Sequence, residues 1–94
     1  MKNTPSTLAD RITALRVLAN LAERAELDAV HHRQRHPSRS TAAAEDATAA
    51  ARTATSIKDR TIHALINQDD RENAVHHYER AQKHAAAARI AAKK

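Results

Sequence analysis

Histidine is the residue type with the widest range of chemistry in this sequence, and the 94 residues include seven of them. His32 and His36 are four positions apart, so on a helix their two imidazoles would share one face. Paired imidazoles can bind a transition metal, but a structural zinc site needs four ligands, and there is no cysteine to complete the set. We therefore predict neither a metal site nor a cofactor. The histidines would instead gain positive charge below about pH 6.5.

Arginine and lysine supply a second kind of chemistry, the binding of phosphate groups. The net formal charge is 0 over residues 1–30, +3 over 31–40, −2 over 41–70 and +4 over 71–94. Positive charge is therefore gathered in two places, and these residues would attract phosphates without reading a sequence. The predicted polyanion-binding residues are Arg33, Arg35, Arg39, His76, His77, Arg80, Lys83, His84, Arg89, Lys93 and Lys94.

The helix dipole offers a simpler account of part of this charge pattern. Cations at a helix C-terminus and anions at its N-terminus each stabilise a helix by about 0.3–1 kcal/mol when exposed. The ends of the predicted helices follow this rule. It does not account for the basic residues from His76 to His84 in the middle of the third helix, which we assign to contact with a partner.

The sequence offers little catalytic machinery. It contains no glycine, so neither a phosphate-cradling loop nor a dinucleotide-binding turn can be built on glycines. Glu72 and His76 are four positions apart, but such a pair on a helix surface is an ordinary side-chain contact. We predict that the protein is not an enzyme.

The composition predicts helices around a thin core. Alanine accounts for 23 residues, whereas Leu, Ile, Val, Met and Tyr together account for 16. Alanine has the highest helix propensity but contributes little apolar surface to a core. No apolar run approaches the roughly 18 residues of a membrane span, Met1–Pro5 lacks the apolar character of a signal peptide, and cysteine is absent. We expect a cytoplasmic protein that does not enter a membrane.

Apolar residues repeat at intervals of three and four along most of the chain. This pattern predicts helices over about residues 7–35, 41–66 and 70–92. Residues 31–40 would form a basic link between the first two helices. The whole chain, residues 1–94, would make one helical domain, because it is too short for two.

The predicted helix ends depend on particular residues. The first helix would end before Pro37, because the residue that precedes a proline disfavours helical geometry. Ser40 or Thr41 would cap the second helix. Asp69 with Glu72 resembles a capping box and would begin the third helix.

Three helices of matched length joined by short links favour an all-α, up-down-up antiparallel three-helix bundle. Alanine at successive core positions predicts Ala-rich seams in which helices approach closely, with Tyr78 as the largest side chain in a seam. This topology would bring residues 31–40 and the C-terminus of the third helix to one basic end. The alternative is one long helix over residues 41–92, which would pair with the first helix in a dimer.

The sequence predicts a binding or accessory protein, with nucleic acid contacting the basic end through its phosphates. The alternative is a protein-binding regulator, inhibitor or assembly subunit that docks through apolar helix faces. A wide apolar arc on the first helix leaves large side chains off the main seams, where they would also allow a homodimer. The predicted protein-interface residues are Val17, Leu21, Ala14, Leu27 and Ile90.

Overall fold

Three helices pack against one another in the computed structural model, which describes residues 8–65 and 67–93. The elements in chain order are α1 (Leu8–His32), α2 (Pro37–Thr61), a short 3-10 helix (Ile62–Ala64) and α3 (Gln68–Lys93). The protein is an all-α three-helix bundle, as the sequence predicts. No helix in the described part of the chain is both long and apolar enough to cross a membrane. Predictions about Met1–Thr7, Ile66 and Lys94 lie outside the described residues.

The link between α1 and α2 is shorter than predicted. α1 ends at His32 instead of near Arg35, and α2 begins at Pro37 instead of residue 41. A proline suits the first turn of a helix, because its φ is fixed near the helical value and the first N–H groups have no partner within the helix anyway. The N–H of His36 donates to the carbonyl of His32 at 2.8 Å, which closes the turn.

The Ser40 side chain makes a hydrogen bond between α2 and α1. It does not cap α2, contrary to the prediction. The side chain is fully buried inside the first turns of α2, and its Oγ donates a hydrogen bond to the carbonyl oxygen of Ala29 at 2.7 Å. A buried hydroxyl needs such a partner, because leaving it unpaired costs free energy. Residues 37–40 of the predicted link 31–40 therefore belong to α2.

The second helix also ends earlier than predicted. α2 stops at Thr61 and not near residue 66, because the chain tightens into the 3-10 helix and then becomes extended at Leu65, where φ is −83° and ψ is 111°. The helical hydrogen-bond ladder is interrupted at this point. The alternative of a single helix over residues 41–92 is therefore wrong.

Asn67, and not Asp69, caps the N-terminus of α3. Its Oδ1 accepts hydrogen bonds from the backbone N–H groups of Asp69 and Asp70 at 2.8 and 3.3 Å. The carboxylate of Glu72 instead accepts from the side-chain amide of Gln68 at 3.0 Å. Asn satisfies the free N–H groups of a first helical turn as well as Asp does, so α3 begins two residues before the predicted start.

Contacts between side chains fix the directions of the helices. Residues nearer the C-terminus of α3 contact residues nearer the C-terminus of α1 and nearer the N-terminus of α2. α3 therefore runs parallel to α1 and antiparallel to α2. The contacting pairs are Arg80 with Glu23, His84 with Glu26, Gln82 with Thr55 and Arg89 with Thr48. The up-down-up order is confirmed, and the α1–α2 link lies at the same end as the C-terminus of α3.

The core divides along the bundle into two clusters. The alanine cluster lies at the end with the α1–α2 link, and its buried residues are Ala25, Ala29, Ala43, Ala44, Ala47, Ala51, Ala85, Ala88 and Ala91. The leucine cluster lies toward the other end, and its buried residues are Leu15, Ala19, Ala22, Ala50, Ala54, Leu65, Ala74 and Ala81. Alanine therefore dominates the seams, in agreement with the prediction.

Tyr78 is only partly buried, so it is not among the side chains that the core encloses completely. The Nζ atom of Lys58 lies 4.5 Å from the centroid of its ring, a cation–π geometry. A hydrogen bond to Asp59 raises the pKa of Lys58 above its ordinary value, which keeps the amine charged over the ring. Leu15 and Leu65 are the largest fully buried side chains.

Candidate anion-binding site

A cavity at the α1–α2 link is lined by the basic residues of the segment 31–40. Its volume is about 490 Å³. Three of the predicted polyanion-binding residues, Arg33, Arg35 and Arg39, line it together. We call it the turn cavity, and its lining residues are Val30, His31, His32, Arg33, Gln34, Arg35, His36 and Arg39.

The backbone of the link directs these side chains toward one volume. His36 has φ −137° and ψ 70°, a non-helical geometry that interrupts the chain between the end of α1 and Pro37. The N–H groups of Arg39 and Ser40 donate to the carbonyl of His36 at 2.9 and 3.1 Å, which ties the first turn of α2 to the link. The N-terminus of α2 carries a partial positive charge and the adjacent C-terminus of α1 a partial negative charge of similar size, so the positive charge here comes from the side chains.

Three imidazoles form a row along the turn cavity. The ring centroids of His31 and His32 are 4.8 Å apart and those of His32 and His36 are 5.7 Å apart, both in edge-to-face geometry. Sequence reasoning did not count these histidines among the polyanion-binding residues, although their place beside three arginines was the signal. In the described part of the chain, no group of three or more His, Cys, Asp or Glu side chains is arranged to hold a metal ion.

The acidic side chains nearest in sequence to the link lie on other surfaces. Asp28 and Asp46 line a groove between α1 and α2, and Glu45 lines a groove between α2 and α3. Glu26 contacts His84, with 2.6 Å between its Oε1 and the imidazole Nδ1. Of the residues that the structure describes, no aspartate or glutamate lines the turn cavity.

Arg89 and Lys93 lie at the same end of the bundle but line a different concavity. They belong to the α2–α3 groove, which has a volume of about 500 Å³ and which Arg52 also lines, a residue that sequence reasoning did not select. Arg89 Nη1 donates to Thr48 Oγ1 at 3.3 Å. The basic end therefore carries two separate concave surfaces instead of the single surface predicted, and Lys94 is outside the described residues.

The predicted basic face of α3 is divided by its contacts with α1. Arg80 Nη2 donates to Asn20 Oδ1 at 3.0 Å and to Glu23 Oε1 at 3.1 Å. The His84 imidazole meets Glu26 across the same pair of helices. These two basic side chains face acidic partners on α1, so they do not lie on the open face to which the sequence pattern assigned them.

His77 lies next to this α1–α3 interface. Arg80 Nη1 is 3.3 Å from His77 Nδ1, so Nδ1 of a neutral imidazole can accept a hydrogen bond from the guanidinium group. Burial, followed by the positive charge of Arg80, lowers the pKa of His77 below its ordinary value of 6.5. A neutral His77 is a weak phosphate ligand. His76 and Lys83 are exposed, which leaves them as the accessible basic residues of this part of α3.

The predicted interface residues are mostly accessible. The exposed fractions of Val17, Leu21, Leu27 and Ile90 are 47%, 54%, 61% and 57%, whereas Ala14 is half-buried. Leu21 also lines the α1–α2 groove, whose volume is about 450 Å³. Large apolar side chains are therefore available on the outer side of α1.

Comparison of the chain with protein-family models, with curated proteins and with solved structures gives no match. The functional interpretation therefore depends on the residues and their geometry. The turn cavity brings three arginines and three histidines into one volume. Guanidinium groups bind phosphate oxygens through a fixed fork of N–H donors, and protonated imidazoles donate from both ring nitrogens.

Proposed function

We propose that the protein is a small basic, non-enzymatic binding protein that associates with nucleic acid through phosphate contacts. The observation that carries this proposal is the turn cavity, where Arg33, Arg35 and Arg39 share one volume of about 490 Å³ with three histidines. The absence of cysteine supports a further proposal, that it acts in the cytoplasm.

The chemistry of the turn cavity favours contacts with the backbone of nucleic acid over contacts with bases. Arginine keeps its charge at all physiological pH values and binds phosphate through two parallel hydrogen bonds. The sequence contains one tyrosine and no phenylalanine or tryptophan, so bases have no stacking platform. Arg89 and Lys93 at the same end would let a phosphate chain continue from the turn cavity toward the α2–α3 groove.

The salt dependence of binding to a short labelled DNA duplex, followed by fluorescence anisotropy, tests this proposal. Three phosphate contacts predict a slope of about −2.7 for log affinity against log salt concentration, or a loss of about fortyfold between 50 and 200 mM salt. A steeper slope would add Arg89 and Lys93 to the contacts. Affinity that does not change with salt would contradict the proposal.

Two charge-reversed variants separate the turn cavity from net charge. The test variant carries Arg33→Glu, Arg35→Glu and Arg39→Glu. The control variant carries Glu at three exposed arginines that do not line the turn cavity, namely Arg24, Arg60 and Arg71. Both variants lose the same net charge. We expect the test variant to lose at least tenfold more affinity than the control, whereas equal losses would mean that only the overall charge attracts DNA.

The second candidate function is that of a protein-binding regulator, inhibitor or assembly subunit. The observation that favours it is the distribution of large apolar side chains: among the described residues only Leu15 and Leu65 are fully buried, whereas six others are exposed. When a partner covers exposed large apolar side chains, the burial stabilises the complex, and a bundle with a thin core benefits most from such burial. Val17 and Leu21 lie one turn apart on α1 and would form the centre of such an interface.

Sedimentation measurements at low and moderate salt concentration distinguish the two functions. A homodimer formed through α1 would show a mass that rises with protein concentration, and its affinity would change little between 50 and 200 mM salt because the contact is apolar. Leu21→Asp should abolish the dimer without unfolding the monomer, since the side chain is 54% exposed. A monomeric wild type at high concentration would leave only a heterologous partner for this surface.

A further inference from the structure

We infer that His31, His32 and His36 are anion ligands of the turn cavity that bind in their protonated form, so that the cavity takes up protons when a phosphate or sulfate ester enters it. The inference rests on the proposed function for the identity of the natural ligand. It assigns a role to three side chains that the arginine contacts alone leave unexplained.

The geometry places the three imidazoles where a ligand of the arginines would meet them. All three line the same cavity as Arg33 and Arg39. His31 and His36 are exposed and His32 is half-buried, so solvent protons reach each ring. The centroid distances of 4.8 and 5.7 Å make the rings a continuous row, which brings neighbouring rings within reach of one tetrahedral anion.

All three helices carry charged groups near this end of the bundle, but only those of the link and of α2 line the cavity beside the histidines. The link and α2 contribute Arg33, Arg35 and Arg39 to the cavity. On α1 and α2 the neighbouring acids Asp28, Asp46 and Glu45 line other grooves, and Glu26 contacts His84 of α3. The remaining basic residues of α3 at this end, Arg89 and Lys93, line the α2–α3 groove. Protonation of the row therefore adds positive charge beside guanidinium groups, with no described carboxylate in the cavity to offset it.

This arrangement links the binding of protons to the binding of anions. Protonated rings beside three guanidinium groups would repel these groups and one another across the cavity. An anion between the rings and the arginines reverses the sign of the interaction and favours the protonated form. By linkage, affinity then rises as the pH falls, by up to about tenfold per pH unit for each proton taken up.

The experiment measures the affinity of two probes at pH 8.0 and pH 5.5 at constant ionic strength. One probe is sucrose octasulfate and the other is the labelled DNA duplex, since neither sulfate esters nor phosphodiesters change charge over this range. The test variant carries His31→Gln, His32→Gln and His36→Gln. The control carries His63→Gln and His76→Gln, which are exposed and lie outside the turn cavity.

We expect wild type and control to bind octasulfate at least tenfold more tightly at pH 5.5, and the test variant to change by less than twofold. Circular dichroism at both pH values checks that the variants are folded. If the triple variant unfolds, the single variant His36→Gln at the exposed link replaces it and should reduce the pH effect. A pH effect that survives in the test variant, or that is missing in wild type, would overturn the inference, as would failure of octasulfate to bind at either pH.

The two probes distinguish failure of this inference from failure of the proposed function. DNA binding with the same affinity at both pH values would support the proposed function and overturn the proton-linked site. Octasulfate binding that depends on pH, without any DNA binding, would support the site and remove nucleic acid as its ligand.

Discussion

The two core clusters differ in how they hold the helices together. All nine buried residues of the alanine cluster are alanine, whereas the leucine cluster contains Leu15 and Leu65 and has partly buried isoleucines such as Ile12 and Ile57 packed against it. Alanine buries little apolar area, so the alanine end depends on close approach of the helices. The leucine end depends on the volume of a few large side chains.

This difference separates stability from the candidate site. The turn cavity lies at the alanine end, where short side chains allow α1 and α2 to approach closely and the Ser40 Oγ donates to the carbonyl of Ala29 at 2.7 Å. The large side chains that stabilise the bundle by volume lie toward the opposite end. Substitutions at the leucine end should therefore change the free energy of unfolding without touching the anion-binding residues.

Leu15→Ala should have the largest effect on stability. Leu15 is fully buried, and truncation of such a side chain costs about 2–5 kcal/mol through lost apolar contact and a residual cavity. Leu21→Ala is the control, because Leu21 lies on the same helix but is 54% exposed. Urea denaturation measures both. Similar losses for the two variants would show that the leucine cluster does not stabilise the bundle by its volume.

Ala47→Leu tests the opposite property at the alanine end. Ala47 is fully buried in the alanine cluster, and added bulk forces packed helices apart at a typical cost of about 1–3 kcal/mol. Ala49→Leu on the exposed side of the same turn is the control. A gain in stability from Ala47→Leu would indicate that the helices leave space at this end and are not closely packed.

Thr61→Val should stabilise the leucine end by about 1 kcal/mol, because burying an unpaired hydroxyl has a cost of that order. The Thr61 Oγ1 is buried and makes no hydrogen bond within the described residues. Valine keeps the shape of the side chain and removes the polar atom. The midpoint of thermal unfolding measures the change, and a decrease in this midpoint would show that the hydroxyl is hydrogen-bonded in solution.

Ser40→Ala should have the opposite sign at the alanine end. It removes the buried hydrogen bond to the carbonyl of Ala29, and the expected loss in the free energy of unfolding is about 0.5–1.5 kcal/mol. Ser38→Ala, at an exposed position two residues earlier, is the control. If the two variants are equally stable, the bond does not contribute to the packing of α1 on α2.

His77→Gln should have the smallest effect, confined to low pH. The pKa of His77 is lowered by burial and by Arg80, so the unfolded chain binds a proton more readily than the folded one. The contribution of neutral His77 to the free energy of unfolding is fully present above about pH 6.5, and it is lost as the pH falls below this value. The urea midpoint of His77→Gln should therefore fall less than that of wild type between pH 7.5 and 5.5. His63→Gln, at an exposed position, should behave as wild type.

Most of the fold follows from patterns that the sequence carries. The three-four spacing of apolar residues predicts the number, order and directions of the helices, because short links force neighbours to run antiparallel. The helix ends were less predictable. Pro37 begins a helix as easily as it precedes one, and Ser40 resembles a cap in sequence although its hydroxyl bonds to α1.

The candidate site was predictable only where its residues are contiguous. Arg33, Arg35 and Arg39 lie together because the link is short, so proximity in sequence becomes proximity in space. The α3 residues Arg80 and His84 were misplaced, because a helical pattern does not reveal that their partners are acids on α1. Those pairs join residues almost sixty positions apart, and periodicity carries no information on such contacts.

The alanine content of the core also determines how stability depends on temperature. Of the buried hydrophobic residues in the described core, all except Leu15 and Leu65 are alanine. Unfolding therefore hydrates little apolar surface for each residue, and the heat-capacity change should fall below the usual ~12–15 cal/mol/K per residue. A small heat-capacity change flattens the stability curve. The bundle should lose stability gradually on either side of its optimum, so cooling weakens it less than it weakens a protein with a leucine-rich core.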